Sequence, residues 1–314
     1  MATYVFRRLA AAVLTMFVVA TIVFTLMNLV PGDPVFFILG EEALLSEVEA
    51  FRHQLGLDRP LGVRLLDWYS DLARGDLGES LFYGAPVLRM IAQRLEPTLL
   101  VTAMATLCSI AVGAPLGILA ALRAGSSVDL GAMILALLAV SIPSFWLGLN
   151  LILLFSLKLQ VLPTAGYVRL AEGGVQAFRH LLLPALALGL SHAAVIARMT
   201  RANLLEVLNY DYVRTARAKG LRERSVVLKH ALRNAMVPTL GVIGVSIALM
   251  LGGAIIIEVV FVIPGIGKLV VDAIMKRDFT MIQGVLMFIA LTTAGVNLSV
   301  DILYGVLDPR IRYD

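Results

Sequence analysis

The segment Leu9–Val30 reads LAAAVLTMFVVATIVFTLMNLV and contains no charged residue. Its length of about 22 residues lets a helix cross a hydrocarbon layer of ~30 Å. A secretory signal has a shorter core of about 7–15 residues, followed by small residues. Here the small residues Ala10, Ala11 and Ala12 lie before the core. The segment therefore predicts an uncleaved first membrane span.

The composition extends this interpretation to the whole chain of 314 residues. Hydrophobic residues make up 59% and charged residues 15%, whereas soluble domains have roughly 45–50% and about 25%. Apolar stretches that can span must be helical, because lipid offers no partner for free backbone groups. Six such stretches are predicted, at 9–30, 97–121, 130–157, 181–203, 236–262 and 282–306. We expect an all-α, polytopic membrane protein with about six transmembrane helices in one domain, 1–314. Kinks are tolerable at Pro143 and Pro184.

The distribution of Lys and Arg predicts the orientation in the membrane. The segment 198–234, between spans four and five, carries about nine basic residues and about three acidic ones. Short loops rich in basic residues face the cytoplasm, so this segment and both termini are predicted to be cytoplasmic. The long segment 31–96 then lies outside. We expect it to form an external cap of three short amphipathic helices, at about 44–55, 61–72 and 86–95.

No residue pattern indicates catalysis or a metal site. The nearest approach to a phosphate-binding loop, Gly265–Leu269, lacks the first glycine and the hydroxyl residue after Lys268. We interpret it as a tight external turn. The single cysteine, Cys108, excludes an internal disulfide. The histidines lack zinc-ligand spacing and are His53, His180, His192 and His230. We therefore predict that this chain is not an enzyme and holds no metal or cofactor.

Ionisable residues within spans are functional candidates, because a membrane-embedded charge is costly. Asp301 is predicted near the cytoplasmic end of the last span, within reach of Arg310 or Arg312, and Glu258 near the external end of span five. Anchoring of helix ends is the alternative for both. Span five is also rich in glycine, which permits either close helix packing or a helix that lines a pathway. The candidates for the pathway are Gly241, Gly244, Gly252, Gly253 and Glu258.

The most informative stretch is DYVRTARAKGL at 211–221. Asp211 suits the first turn of a helix, and Gly220 suits the left-handed position that ends one. A second short helix is expected from about Ser225 towards Pro238. Two helices joined at a glycine would make a rigid cytoplasmic projection that can pass force to a soluble partner. A basic loop that only sets topology is the alternative.

This loop resembles that of permease subunits of the dipeptide, oligopeptide and nickel ABC importers, most closely the dipeptide and glutathione members. Arg214, Thr215 and Ala216 stand where the general permease motif has Glu-Ala-Ala, and Gly220 matches its glycine. HALRNAMVP at 230–238 resembles the peptide-subfamily variant. Further matching stretches occur in order along the chain: PGDP (31–34), GLDRPL (56–61), GDLGES (75–80), PTLL (97–100), PGIGKL (264–269), RDF (277–279) and NLSVDILYGVLDPRIR (297–312).

The resemblance implies a type I ABC importer permease fold in the inner membrane. Such a subunit pairs with a homologous permease, two cytoplasmic ATPase subunits that use ATP and Mg, and an external solute-binding protein. The cytoplasmic loop 204–235 would then be a coupling loop that docks on an ATPase. The resemblance assigns the docking residues as Asp211, Tyr212, Arg214, Thr215, Ala216, Arg217, Lys219, Gly220 and Leu221. It places the binding protein on the external cap, at Pro31, Gly32, Asp33, Pro34, Gly75 and Asp76.

The expected function is inward transport of peptides or a peptide-like solute such as glutathione, driven by ATP hydrolysis on the separate subunits. Among the candidate solutes we rank dipeptides or glutathione-like solutes first, longer peptides second and metal chelates third. Two other classes stay open from the residues alone. An ion-coupled carrier or channel would normally place carboxylates at mid-bilayer near broken helices, and none is predicted there. A membrane-embedded enzyme would need a catalytic constellation.

Overall fold

Apolar helices form nearly all of the structure. The computed structural model describes residues 2–29, 35, 39–40 and 43–307. Its helices are α1 (Ala2–Leu29), α2 (Leu45–Gln54), α3 (Leu61–Ala73), α4 (Val87–Leu122), α5 (Ser127–Ser141), α6 (Ser144–Leu151), α7 (Gly174–Leu208), α8 (Asp211–Ala218), α9 (Glu223–Ser225), α10 (Leu232–Val260), α11 (Ile266–Met275) and α12 (Phe279–Leu307). Wider π-helical turns extend α6 over Ile152–Lys158 and join α9 to α10 over Val226–Ala231. A small hairpin pairs β1 (Glu79–Ser80) with β2 (Ala85–Pro86) in antiparallel register.

Five of the described helices are long and apolar enough to cross a membrane. They are Phe6–Leu29, Val87–Leu122, Gly174–Leu208, Glu223–Val260 and Phe279–Ile302. They correspond to predicted spans one, two, four, five and six. A bent helix pair in the position of the third predicted span brings the number to six.

The third span is not the single helix expected for 130–157. It consists of α5 and the extended α6, which meet at an angle of 99°. Pro143 disfavours helical geometry in the residue before it, and Ile142 is accordingly extended, with φ −86° and ψ 124°. Pro143 then precedes the first residue of α6, where its missing N–H costs nothing. By contrast, α7 continues through Pro184 without a break.

The segment 43–96 only partly matches the predicted cap. The first two short helices are confirmed as α2 and α3, within one or two residues of the expected bounds. The third is wrong as a separate element, because the helix that starts after Pro86 runs on as α4 for 36 residues. Pro97 lies inside this helix, a position that membrane helices tolerate when neighbouring groups satisfy the freed carbonyl. The hairpin β1–β2 was not predicted.

The core forms where α4 and α7 approach closely. Gly113 and Gly117 on α4 lie directly against the backbone carbonyls of Ala193 and Ala197 on α7, so an added Cβ would overlap them. Gly189 of α7 faces Ala105 of α4 in the same way. Small residues spaced four apart let two membrane helices approach until their backbones touch. This contact makes α7 the central helix, with 61% of its most apolar stretch buried.

Two buried clusters define opposite ends of the bundle. At the end that we call the hairpin end, Val87 and Ile91 pack with Leu269 and Met281. At the other, the loop end, Ala121 packs with residues of the 204–235 segment. Since α4 runs from Val87 to Ala121, the two ends are about 50 Å apart at ~1.5 Å per residue.

Candidate functional site

The 211–221 loop is anchored in the bundle by one face of α8. Val213 is fully buried and Ala216 is 7% exposed, and their spacing of three places them on one helix face. They belong to a cluster with Ala121, Leu204, Val207, Val226, Ala231 and Ala235. These neighbours come from α4, α7 and the helix that follows the loop, so three spans hold the loop in place.

The end of α8 is fixed by Gly220. This residue has φ +75°, in the left-handed region that glycine adopts without strain. The Gly220 N–H donates to the Arg217 carbonyl at 2.9 Å, and the Leu221 N–H donates to the Ala216 carbonyl at 3.4 Å. These two bonds form a Schellman motif. The predicted helix start at Asp211 and the predicted left-handed helix end at Gly220 are both confirmed.

The second helix of the loop differs from the expectation. It begins at Glu223, slightly before Ser225, and passes through π-helical turns directly into α10. It also does not end near Pro238, which lies inside α10. The loop is therefore rigidly continuous with span five, because no flexible linker separates the two.

Side-chain bonds brace the loop across the glycine turn. Arg217 donates from Nε and Nη2 to the two carboxylate oxygens of Glu223, at 3.1 and 2.7 Å. These hydrogen bonds raise the pKa of the Arg217 guanidinium. On the other side, the Tyr212 hydroxyl accepts a hydrogen bond from Asn234 Nδ2 at 2.8 Å and lies 3.3 Å from the His230 carbonyl, to which it donates. Both pairs tie α8 to the start of span five.

The outward face of the loop is basic and partly aromatic. The side chains of Arg214 and Arg217 are 69% and 42% exposed. Lys219 is also exposed, as are Tyr212 and Leu221. The loop is therefore a rigid, positively charged projection, and its role in docking an ATPase stays a prediction.

Glu258 lies at the hairpin end, fully buried. Its carboxylate accepts a hydrogen bond from Thr98 Oγ1 at 2.5 Å and another from the Lys268 N–H, in the first turn of α11, at 2.9 Å. Added methyl groups at Gly265 and Gly267 would both meet this carboxylate. The Gly265–Leu269 stretch is therefore a helix N-terminus closed by Glu258 rather than only a turn. Helix anchoring accounts for Glu258, and its role in a pathway stays a prediction.

The glycines of span five fall into two groups. Gly244 lies against Val300 of α12 and Gly253 against Leu188 of α7, so close packing accounts for both. Gly241 is buried as well. Gly252 is exposed and has open space around it. Of the four predicted pathway glycines, Gly252 is therefore the one that described neighbours do not explain.

The predicted docking residues of the cap are only partly described. The stretch 31–34, which holds Pro31, Gly32, Asp33 and Pro34, lies outside the described residues. Gly75 and Asp76 are exposed in the turn before β1, where Asp76 accepts a hydrogen bond from the Gly78 N–H at 2.8 Å. Their role in docking stays a prediction.

Two charged residues were not predicted from the sequence. Asp129 is 5% exposed and accepts two hydrogen bonds from the Arg201 guanidinium, at 2.5 and 2.7 Å, which ties α5 to α7 near the loop end. Asp278 is 2% exposed, caps α12 through the Met281 N–H and accepts a hydrogen bond from Ser80 in the hairpin. Local signals were present, because Asp129 follows the helix cap Ser126 and Asp278 directly precedes a helix.

The ionic partner that the structure describes for Asp301 was not predicted from the sequence. Asp301 forms an ion pair with Arg8 of α1 at 2.9 Å. Arg310 and Arg312, the expected partners, lie outside the described residues. The pair nevertheless supports the expected anchoring role, since it joins the first and last spans at the loop end. Within the described part of the chain, no three His, Cys, Asp or Glu side chains gather as a metal site would require.

A bundle of this kind, with about six spans and a braced polar loop at one end, defines a polytopic α-helical membrane protein. Comparison with known proteins identifies its family. Residues 113–313 match the model of the binding-protein-dependent transport system inner membrane component, and residues 1–102 match that of its N-terminal region. The chain belongs to this family and is an ABC importer permease subunit.

Individual relatives match the sequence of this chain over its full length. A probable peptide ABC transporter permease protein from Sinorhizobium fredii is 44% identical over 313 residues, and the match covers 100% of both chains. The glutathione transport system permease protein GsiC of Escherichia coli strain K12 is 41% identical, again over 100% of both chains. Among solved structures, the inward-facing methionine ABC transporter MetNI aligns with a TM-score of 0.58 at 18% identity, covering 70% of this chain and 96% of that one. The last likeness supports the fold alone.

Proposed function

We propose that this permease subunit moves short peptides, or a peptide-like solute such as glutathione, inward across the inner membrane. The relatives that match at 41–44% identity over the whole chain carry the names of peptide and glutathione permeases, which supports this choice of solute. ATP and Mg act on partner ATPase subunits, and this chain binds neither. A homologous second permease and an external solute-binding protein complete the transporter.

The observation that carries the mechanism is the braced loop at 211–221. Its buried face joins three spans, its end is fixed at Gly220, and its exposed face is basic. Movement of an ATPase against this face is passed to the spans, because no flexible linker separates the loop from span five. Packed helices switch between discrete arrangements, so the two permeases rock between inward- and outward-facing states.

Orientation follows from the same loop. About nine Lys and Arg residues between 198 and 234 favour the cytoplasm, which places both termini inside and the hairpin end outside. The outer surface that receives the binding protein then includes Gly75 and Asp76. The function and the orientation are tested separately.

Uptake tests the function. The full chain is reconstituted in proteoliposomes with its partner permease and ATPase subunits, and ATP-dependent accumulation of labelled dipeptide and glutathione is measured with the binding protein present. We expect accumulation of at least one of the two. Accumulation by this chain alone under an ion gradient would contradict the proposal and indicate an ion-coupled carrier.

Labelling tests the orientation. Because Cys108 is the only cysteine, Cys108→Ala gives a cysteine-free background. A single cysteine at Lys219 should resist a membrane-impermeant maleimide added to intact cells, whereas one at Gly75 should react. Reaction of the Lys219 position from outside would contradict the orientation.

A further inference from the structure

A cavity of about 590 Å³ lies at the hairpin end, apart from the residues assigned above to coupling and to the pathway. It is bounded by the second half of α1, by α2 and α3, by the turn before β1, and by the first residues of α12. Its volume lies within the range of about 300–1,000 Å³ that small-molecule sites usually have. It therefore has room for a ligand.

One face of α3 supplies opposite charges to this cavity. Arg64, Asp67, Trp68 and Asp71 all line it, and their spacings of three, four and seven place them on the same side of the helix. Asp67 is already paired with Arg59 at 2.6 Å. The remaining two charges lie at opposite ends of this face, about 10 Å apart along the helix axis.

Arg64 and Asp71 have no ionic partner among the residues that the structure describes. The Arg64 guanidinium lies over the Phe24 ring, 5.9 Å from its centroid, and is partly buried. Asp71 is also partly buried and lines the cavity. Trp68 lies between them and stacks on Phe24 at 5.6 Å. A half-buried charge without an ionic partner is costly, and a ligand of the opposite charge relieves that cost.

We propose that this cavity binds a short zwitterionic peptide, with its carboxylate on Arg64 and its ammonium group on Asp71. An extended dipeptide or tripeptide spans about 7–10 Å, which matches the separation of the two charges. The aromatic pair Phe24 and Trp68 supplies an apolar floor for the peptide side chains. The choice of ligand rests on the proposed transport function, whereas the position of the site rests on the cavity and its charges.

Trp68 gives the site its own spectroscopic reporter. The chain has two tryptophans, and the other, Trp146, lies on α6 outside the cavity. In a Trp146→Phe background, the emission of the full chain in non-ionic detergent therefore comes from Trp68. We expect a saturable change in this emission when Ala-Ala is added, and none with the doubly blocked N-acetyl-Ala-Ala-amide.

Variants identify the charges that hold the peptide. Arg64→Gln and Asp71→Asn should each weaken the binding of Ala-Ala roughly tenfold or more, because each removes a charge-assisted hydrogen bond. The matched controls Arg89→Gln and Asp58→Asn, at exposed positions outside the cavity, should leave it unchanged. Unchanged binding in both cavity variants would overturn the proposal. A saturable response to a short-chain phosphocholine lipid but not to Ala-Ala would overturn it too and point to a lipid headgroup.

Uptake of Ala-Ala by the complete transporter is measured in parallel to separate the two proposals. Uptake without any Trp68 response overturns the cavity site and leaves the transport function standing. A Trp68 response without ATP-dependent uptake of either Ala-Ala or glutathione supports the cavity site and contradicts the transport function.

Discussion

Arg217 and Glu223 form a two-bond ion pair that bridges the turn at Gly220. One residue lies near the end of α8 and the other begins the helix that leads into span five. The pair therefore links the projecting helix directly to a membrane span. Because both side chains are around half exposed, the pair itself contributes little stability, below about 1 kcal/mol. The turn geometry and the buried face of α8 must carry most of the rigidity.

Gly220→Val should uncouple ATP hydrolysis from uptake while membrane insertion stays normal. A β-branched residue at φ +75° costs about 1–2 kcal/mol and shifts the end of α8. Open space surrounds Gly220, so the effect arises from backbone strain and not from a clash. The ratio of solute taken up to ATP hydrolysed is measured in proteoliposomes. Gly220→Asn is the control, since asparagine tolerates this conformation, and equal loss in both variants would count against the strain argument.

Val213→Asp should release the loop from the bundle. The new carboxylate would enter the buried cluster at the loop end without a partner. Burying an unpaired charge in this way costs about several kcal/mol. Limited proteolysis should then cut between residues 209 and 222 at least several-fold faster. Thr215→Asp introduces the same charge at a neighbouring exposed position and should leave the cleavage rate unchanged. Equal protection of both variants would show that the cluster does not hold the loop.

Gly117→Val should destabilise the bundle through the α4–α7 contact. The added side chain meets the Ala197 carbonyl, a backbone atom that cannot rotate away. Overpacking of about 1–3 kcal/mol corresponds to a fall in Tm of roughly 2–5 °C for a chain of this length, measured by thermal unfolding in detergent. Gly131→Val is the matched control, because nothing lies within 4 Å of an added Cβ there. A Tm that falls equally in both variants would refute a specific backbone contact.

Asp129→Asn should destabilise the protein more than Asp301→Asn. Removing the Asp129 charge leaves the Arg201 guanidinium, whose side chain is 28% exposed, without the carboxylate that accepts two of its hydrogen bonds, and an arginine deprived of a shielded partner loses more stability than an exposed pair does. Asp301 and Arg8 are more exposed, at 24% and 48%, so the second change should cost about 1 kcal/mol or less. Thermal unfolding of both variants under the same conditions gives the comparison. The reverse order would contradict the assignment of Asp129 as the buried brace.

Features with local physical signals were predictable from the sequence. Asp211 and Gly220 mark the ends of α8 through helix-terminal electrostatics and the left-handed conformation, and both were placed correctly. Proline signals were only partly informative. Pro143 breaks the third span, whereas Pro97 and Pro184 lie inside continuous helices. The difference depends on whether neighbouring helices satisfy the freed carbonyl, which a single segment does not reveal.

Features that depend on distant pairs were not predictable. Arg201 counts as one of many basic residues until Asp129, 72 positions away, is seen to bind it. For Asp301 the sequence suggested nearby arginines, and its described ion pair with Arg8, at the other end of the chain, was missed. The Gly265–Leu269 stretch could likewise be assigned to a helix N-terminus only once Glu258 was seen to close the start of α11. Charge and size indicate that a partner is needed, and the fold decides which residue it is.

The central claim is that the 211–221 loop docks on an ATPase subunit, and cross-linking of the two tests it most directly. In a Cys108→Ala background, a single cysteine at Thr215, on the exposed side of α8, is paired with single cysteines along the membrane-facing surface of the cognate ATPase. We expect efficient disulfide formation in the assembled transporter and an unchanged cross-link to the same site when ATP is added, because the loop moves together with the ATPase. A Thr215 cysteine that cross-links to no ATPase position in the active complex would contradict the coupling role of this loop.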